Sequence, residues 1–213
     1  MIHKTGILGG TFDPIHYGHL ELAKAAGKLC GLSEIVLIPA AVPPHKQHRQ
    51  IAAYSHRVAM LNVAVKKNPE IHISTIEQLL PTPSYTIDTL EYLNLHSVGN
   101  VDFYFITGAD VFLDIQSWKQ YRNVLKSIHF IVFTRSGNKT NKLQTLLKQL
   151  GYEQNATVWY NKSTDRWVFT STHSLPEISS SAIRKRIAKG ETVTQLIPEK
   201  VQKYIVSHGL YKE

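Results

Sequence analysis

The sequence predicts an α/β protein built on a doubly wound parallel sheet. Six short runs of aliphatic and aromatic residues alternate along the 213 positions with stretches whose apolar residues recur at helical spacing. The runs are apolar without strict alternation, which is typical of strands that helices cover on both faces. Parallel neighbours also require a covering helix at each return, and the intervening stretches are long enough to supply one.

The strands and helices follow from these patterns in chain order. The first strand is predicted at 5–8, the Thr-Gly-Ile-Leu run in front of a glycine pair. In the helix predicted next, Leu22, Ala26 and Leu29 share one face. Further strands are predicted at 34–39, 71–74, 102–107, 129–134 and 157–160, and helices at 18–30, 55–67, 86–96 and 141–150. In such sheets ligands bind beyond the carboxyl ends of the strands, which makes the glycine pair a candidate site.

The C-terminal part of the chain is predicted to be helical. A serine run followed by Ala-Ile-Arg begins one helix that Gly190 ends, and a second helix, begun by a proline, ends at Gly209. We expect a single domain over 1–213, in which a core at 1–175 carries a small C-terminal helical cap at 176–213.

Composition and charge narrow the classes of function. Lys and Arg outnumber Asp and Glu by 24 to 16, so the chain attracts anions, but its basic residues are scattered and form no stripe with interleaved aromatics. The single cysteine, Cys30, excludes an internal disulfide and a cysteine-built metal site. The sequence shows neither a leader pattern nor eighteen consecutive apolar residues. We therefore expect a cytoplasmic protein with neither a nucleic-acid nor a membrane partner.

The glycine pair belongs to the stretch GGTFDPIHYGHL at 9–20, which connects the first predicted strand to the first predicted helix. Gly9 and Gly10 allow a tight turn and a close approach of the backbone to a ligand. The N-terminus of the following helix is a site for an anion. The spacing matches neither the dinucleotide-binding GxGxxG pattern nor a P-loop.

Two histidines, His16 and His19, lie three residues apart in the first turn of this helix, so both can point toward one spot. They could bind zinc, although helical zinc pairs are usually spaced i, i+4 and need a third ligand. One could cap the helix while the other packs in the core. Alternatively, both could donate hydrogen bonds to a phosphate. Asp13 could act as a general base, but its carboxylate, placed before a proline, is rather expected to tie down the loop.

Further candidates for anion binding occur elsewhere in the chain. Ser179, Ser180 and Ser181 can cap a helix or offer hydroxyl and N–H groups to an anion, and Arg184 presents a guanidinium suited to phosphate oxygens. Lys46, after a proline pair, and Arg135, at the end of a strand, are candidate phosphate-binding cations.

A third group follows the strand predicted at 102–107. Gly108 permits a close approach of the backbone, and Asp110 could accept hydrogen bonds from ribose hydroxyls. Trp118 could stack on an aromatic ring or bury its indole in the core.

These motifs together resemble those of the bacterial nicotinate-nucleotide adenylyltransferases, a family of the HxGH-bearing nucleotidyltransferase superfamily. The resemblance rests on their order along essentially the whole chain: GGTFDPIHYGHL, PPHK, SYT at 84–86, GAD followed by Trp118, ISSSAIR, and LIPEKVQKYIVSHGLY. It implies a Rossmann-like fold and the joining of ATP and nicotinate mononucleotide into deamido-NAD with release of pyrophosphate. It also implies Mg²⁺ held through the ATP phosphates, with no metal ligand from the protein. Another phosphorylated acceptor, such as nicotinamide mononucleotide, remains the alternative, and a homo-oligomer stays open.

The resemblance also implies roles for particular residues. His16, His19, Lys46 and Arg184 would be catalytic. ATP would contact Gly9, Gly10, Thr11, Phe12, His16, His19, Gly108, Asp110, Ser180, Ser181 and Arg184, and the nicotinate mononucleotide would contact Thr86, Asp110, Trp118 and Arg135. The chain departs from the family pattern at Ala40 and Ala41, where relatives often carry asparagine, and at Lys119, where a tyrosine or histidine often follows the tryptophan.

Overall fold

A computed structural model of the chain describes residues 2–44, 51–134, 138–173 and 176–212. Within these ranges eight strands form one sheet in the order β3-β2-β1-β4-β5-β8-β7-β6. Neighbouring strands from β3 to β8 in that order are parallel, and β7 pairs antiparallel with both β8 and β6. The strands are β1 (His3–Gly10), β2 (Glu34–Pro39), β3 (Ile71–Ile73), β4 (Val101–Gly108), β5 (His129–Phe133), β6 (Glu153–Asn155), β7 (Val158–Asn161) and β8 (Arg166–Ser171).

Helices cover both faces of the sheet. They are α1 (Tyr17–Cys30), α2 (Tyr54–Val65), α3 (Thr86–His96), α4 (Ala109–Leu113), α5 (Tyr121–Ser127), α6 (Asn138–Gln149), α7 (Ser180–Ala188) and α8 (Glu199–Ser207). Successive residues of β1 point to opposite faces: Leu8 packs in a buried cluster with α1, α2, α7 and α8, whereas Ile7 packs in a second cluster with α3 to α6. The predicted doubly wound α/β fold is thereby confirmed.

The structure adds four elements that the sequence patterns did not predict. Strand β6 is polar and exposed, and β8 is mostly half-buried, so neither has the continuous apolar run of a central strand. Together with β7 they form an antiparallel extension beyond β5. Helices α4 and α5 have five and seven residues, too few for a helical period to stand out.

The order of the strands creates a topological switch point between β1 and β4. From β1 the chain proceeds through α1 to β2 on one side, and it returns to the other side of β1 as β4. Strand β1 ends at Gly10 and β4 ends at Gly108, at the same edge of the sheet. A crevice at such a point is the usual ligand site of open α/β sheets.

A buried arginine fixes the loops at this edge. Arg57 in α2 is only 2% exposed, and its guanidinium donates to backbone carbonyls of three loops. Nη1 donates to Thr11 O at 2.9 Å and to Ala40 O at 2.8 Å, and Nη2 donates to Ala41 O at 3.3 Å. Nε donates to Ala52 O at 3.1 Å. The loops after β1 and β2 are thus joined to the segment before α2.

Replacing Arg57 by methionine should destabilise the fold. The side chain would keep much of its volume, but the carbonyl oxygens would lose their donors, at a cost of about 3 kcal/mol or more. Urea unfolding measures this loss. Arg122→Met is the matched control, because Arg122 also faces a tyrosine ring but lies exposed. Equal stability of the two variants would show that the carbonyl contacts contribute little.

Candidate active site

A crevice of about 440 Å³ opens at the carboxyl ends of β1, β2 and β4. Its wall brings together residues that are more than one hundred positions apart in the sequence. Of the residues singled out from the sequence, it is lined by Gly9, Gly10, Thr11, His19, Thr86, Gly108 and Trp118. Residues expected at the two ends of the nucleotide site therefore share one cavity.

The two histidines stack on each other at the start of α1. Their ring centroids are 3.6 Å apart at an interplanar angle of 20°. The backbone N–H of His16 donates to Nδ1 of His19 at 3.3 Å, so the remaining proton of a neutral His19 ring lies on Nε2. Gly18 leaves room for this stack, because a Cβ there would come within 3.0 Å of the His16 ring. His19 thus both caps the helix and presents a donor to the crevice.

His16 lies beneath His19 and is only 5% exposed. Burial lowers the pKa of its imidazole from 6.5 to about 4, so the ring is neutral near pH 7. Among the described residues no group forms a hydrogen bond with its Nδ1. The residues that the structure describes contain no group of three or more His, Cys, Asp or Glu side chains placed to hold a metal ion. The geometry therefore gives no support to the zinc interpretation.

Phe12 does not line the crevice but supports it from behind. Its ring is buried and meets His19 edge-on, with centroids 5.0 Å apart. Its backbone has a positive φ of 51°, which is uncommon for a residue with a large side chain. A Cβ at Gly10 would approach the Phe12 ring to 3.1 Å, so the second glycine makes room for it. That Phe12 itself contacts ATP stays a prediction.

The serine-arginine motif of α7 docks on the turn after β1. Arg184 donates from Nη1 to the Asp13 carbonyl at 2.6 Å and lies 3.4 Å from the Asp13 carboxylate. Ser180 donates from its hydroxyl to Pro14 O at 3.0 Å, and Ser181 Oγ is 3.4 Å from Arg184 Nη2. These three residues are therefore adjacent to the histidine turn, but in this structure they contact protein groups and lie outside the crevice lining.

Asp13 ties down the loop, as its position before a proline indicated. Its buried Oδ1 accepts from the backbone N–H of Ala52 at 3.2 Å and from the Tyr211 hydroxyl at 2.7 Å. Burial and the adjacent carboxylate raise the pKa of the Tyr211 phenol above its usual range, so it remains a donor.

The segment after β4 forms the opposite wall. Trp118 lines the crevice and packs edge-on against Phe105, with ring centroids 5.7 Å apart. Thr86, the first residue of α3, lies in the same wall. Asp110 is exposed and forms an ion pair with Lys139 at 2.6 Å, outside the crevice lining. Lys46 and Arg135 lie outside the described residues, so the structure does not place them.

Two buried side chains that the sequence analysis missed shape the crevice. One is Arg57, which holds the surrounding loops. The other is Glu77, which lines the crevice and accepts from Ala41 N–H at 3.2 Å and from the Thr89 hydroxyl at 3.0 Å. Burial raises the pKa of the Glu77 carboxyl. Glu77 connects the loop after β2 to α3. Neither residue belongs to a recognisable motif, and charged residues at helical positions are ordinarily exposed.

Comparison with known proteins agrees with this arrangement. The model of the cytidylyltransferase-like family matches residues 7–186, from the first strand to the helix that carries Arg184. The chain belongs to the cytidylyltransferase-like family. A probable nicotinate-nucleotide adenylyltransferase of Carboxydothermus hydrogenoformans is 40% identical over 211 residues, covering 98% of each chain. A probable nicotinate-nucleotide adenylyltransferase of Desulfotalea psychrophila is 37% identical over 98% of this chain and 99% of its own. The relationship expected from the motifs is therefore confirmed.

A solved structure shares the fold of this chain. The nicotinic acid mononucleotide adenylyltransferase of Plasmodium falciparum complexed with NaAD superposes with a TM-score of 0.72 at 22% identity. The superposition covers 98% of this chain and 97% of that one. In the described part of this chain, no helix is long and apolar enough to cross a membrane.

Acidification should destabilise the protein through its buried histidines. Burial lowers the pKa of His129, like that of His16, to about 4. Between about pH 6.5 and pH 4 the unfolded chain binds a proton that the folded histidine does not, so stability falls as the pH falls. At pH 5 the loss is roughly 1–2 kcal/mol for each histidine relative to pH 7.

Urea unfolding at pH 7 and pH 5 tests this dependence. His129→Asn is the informative variant, because Asn does not titrate and can keep the acceptor that Trp167 N–H contacts at 3.1 Å. The variant should lose about 1–2 kcal/mol less than the wild type between the two pH values. An equal loss of unfolding free energy in both proteins would show that His129 does not contribute to the pH dependence of stability.

Proposed function

We propose that this chain transfers the adenylyl group of ATP to nicotinate mononucleotide, giving deamido-NAD and pyrophosphate in NAD biosynthesis. One observation carries the proposal: the glycine turn with His19 and the wall with Thr86 and Trp118 line one crevice at the switch point of the sheet. The names of the curated relatives support the same reaction.

The phosphate end of the crevice has donors suited to a polyphosphate. Gly9, Gly10 and Thr11 bring backbone close to the ligand, and the N-terminus of α1 favours negative charge. His19 would donate from Nε2 to the α-phosphate. His16 would contact the phosphates from beneath as a neutral ring, which requires a small movement of the stack. Lys46 and Arg184 would neutralise charge on the departing pyrophosphate, and the hydroxyls of Ser180 and Ser181 would hold it by hydrogen bonds.

The other end suits a pyridine mononucleotide. Trp118 would stack on the pyridine ring, and Thr86 at the N-terminus of α3 would hold the ring carboxylate. Gly108, with its backbone in the crevice wall, would meet the nucleotide sugar. Asp110 would contact the ribose, and Arg135 would contact the phosphate. Asp110 would then exchange its ion pair with Lys139 for the contact with the ribose.

The reaction needs no general base from the protein. The attacking phosphate of the mononucleotide is anionic at neutral pH, so displacement at the α-phosphorus depends on positioning and on charge neutralisation. The crevice matches this requirement, because it offers imidazole, hydroxyl and backbone donors. Its described residues form no carboxylate cage for a hard cation, so Mg²⁺ would enter with the ATP phosphates and reduce their charge.

Several expectations from the sequence remain predictions. Nicotinamide mononucleotide is the alternative acceptor. A cytoplasmic location, the absence of a nucleic-acid partner and a single domain spanning 1–213 are expected from the sequence alone. A homo-oligomer stays open.

The proposed reaction is tested by incubating the protein with ATP, Mg²⁺ and either nicotinate or nicotinamide mononucleotide. We expect release of pyrophosphate with formation of the matching dinucleotide, faster with the acid. ATP labelled by sulfur at the α-phosphorus should give a product of inverted configuration. Absence of pyrophosphate with both acceptors would refute the proposed function, and retained configuration would instead indicate a covalent intermediate.

His16→Ala and His19→Ala should each lower kcat by roughly 10² or more, the scale for loss of one transition-state donor. His96→Ala is the matched control, since His96 is also stacked on a ring, that of Tyr92, but lies on the surface. Steady-state kinetics with circular dichroism separates lost catalysis from lost folding. A folded His19→Ala protein with wild-type kcat would contradict the proposed hydrogen bond from His19 to the α-phosphate of ATP.

A further inference from the structure

Lys119 lies in the wall of the crevice. It follows Trp118 directly and lines the same wall as Tyr85 and Thr86. Its side chain is 39% exposed, so it is partly accessible in the wall of the cavity. A cation therefore stands beside the position proposed for the pyridine ring.

The ammonium of Lys119 contacts Asp88 and Tyr85. Nζ lies 2.9 Å and 3.0 Å from the two carboxylate oxygens of Asp88 and 4.8 Å from the centroid of the Tyr85 ring. Asp88 is in the first turn of α3, and its side chain is 18% exposed. The contacts to Asp88 account for two of the three N–H donors of the ammonium. A third donor is left for a substrate group, and Lys119 lines the crevice that would hold one.

A carboxylate and an amide differ strongly beside such a cation. A carboxylate on the ring would gain a charge-assisted hydrogen bond from Lys119, whereas a neutral amide would gain at most an ordinary one. Asp88 acts in two ways: it orients the ammonium, and its own negative charge weakens the attraction for a second carboxylate. The net preference for the acid over the amide depends on whether the ring carboxylate or the Asp88 carboxylate lies nearer to Nζ of Lys119.

We propose that Lys119 is a specificity-determining residue that selects an acidic ring substituent over the corresponding amide, and that Asp88 holds the ammonium while moderating this selection. The inference rests on the proposed function, because the acid in question is nicotinate mononucleotide. It adds a charged contact from the side chain of Lys119 to the site proposed for the ring.

Three variants separate charge from packing. Lys119→Met removes the charge and keeps a flexible stem over Tyr85, Lys119→Arg keeps the charge, and Asp88→Asn removes the competing carboxylate. Lys162→Met is the matched control, because Lys162 also pairs with a carboxylate, that of Glu153, but the pair is exposed and outside the crevice. Initial rates of pyrophosphate release are measured for each protein with the acid and with the amide mononucleotide.

Lys119→Met should raise KM for the acid about fivefold, because one partly exposed charge-assisted contact is lost. KM for the amide and for ATP should change less than twofold. Asp88→Asn should shift the ratio of kcat/KM values toward the acid, while Lys119→Arg should keep the wild-type preference. Lys162→Met should match the wild type with both substrates.

Two results would overturn the proposal. Parallel losses for acid and amide in both Lys119→Met and Asp88→Asn would show that the ion pair only positions the crevice wall. An unchanged preference in Lys119→Met would show that the ammonium does not contact the ring substituent. Titration calorimetry of the wild type and Lys119→Met with each mononucleotide provides a readout without turnover. Equal affinity changes for acid and amide would refute the role of Lys119 even if the chain proved inactive, whereas catalytic failure with both acceptors would refute only the proposed reaction.

Discussion

The arrangement of the crevice depends on the burial of one guanidinium. Arg57 is surrounded by backbone carbonyls from the loops after β1 and β2 and from the segment before α2, and no carboxylate among the described residues pairs with it directly. Burial of a charge is expensive unless its donors are satisfied, and here carbonyl dipoles satisfy them. The loops are therefore held at fixed distances, because any outward movement of one loop would leave both a donor and an acceptor without a partner.

A second set of contacts joins the histidine turn to distant parts of the chain. The carboxylate and carbonyl of Asp13 meet Arg184 on α7, Ala52 before α2, and Tyr211. In this structure the turn that presents the histidines is thus held by residues that lie outside the crevice lining. This arrangement leaves the front of the turn for a ligand. Ser180 and Arg184, far from the glycine turn in the sequence, pack against this turn.

Much of the fold could be predicted, because central strands and their covering helices carry strong periodic signals. Helix α3 occurs at 86–96 as expected, and the central strands differ from prediction by two residues or fewer. The short helices after β4 and the polar edge strand β6 lack such signals. In the crevice, glycines and histidines stood out because they cluster within one turn. Arg57 and Glu77 did not, since their importance comes from burial, and no local pattern reveals that a charged side chain will be enclosed.

The contact between Tyr211 and Asp13 spans 198 positions of the chain. A ribosome adds residues from the N-terminus onward, so strand β1 and its turn are made long before their last partner. Until then the carboxylate of Asp13 has only water and nearer segments to satisfy it, and the turn lacks its final support. The turn after β1 therefore gains the hydrogen bond from Tyr211 only after almost two hundred further residues have been added.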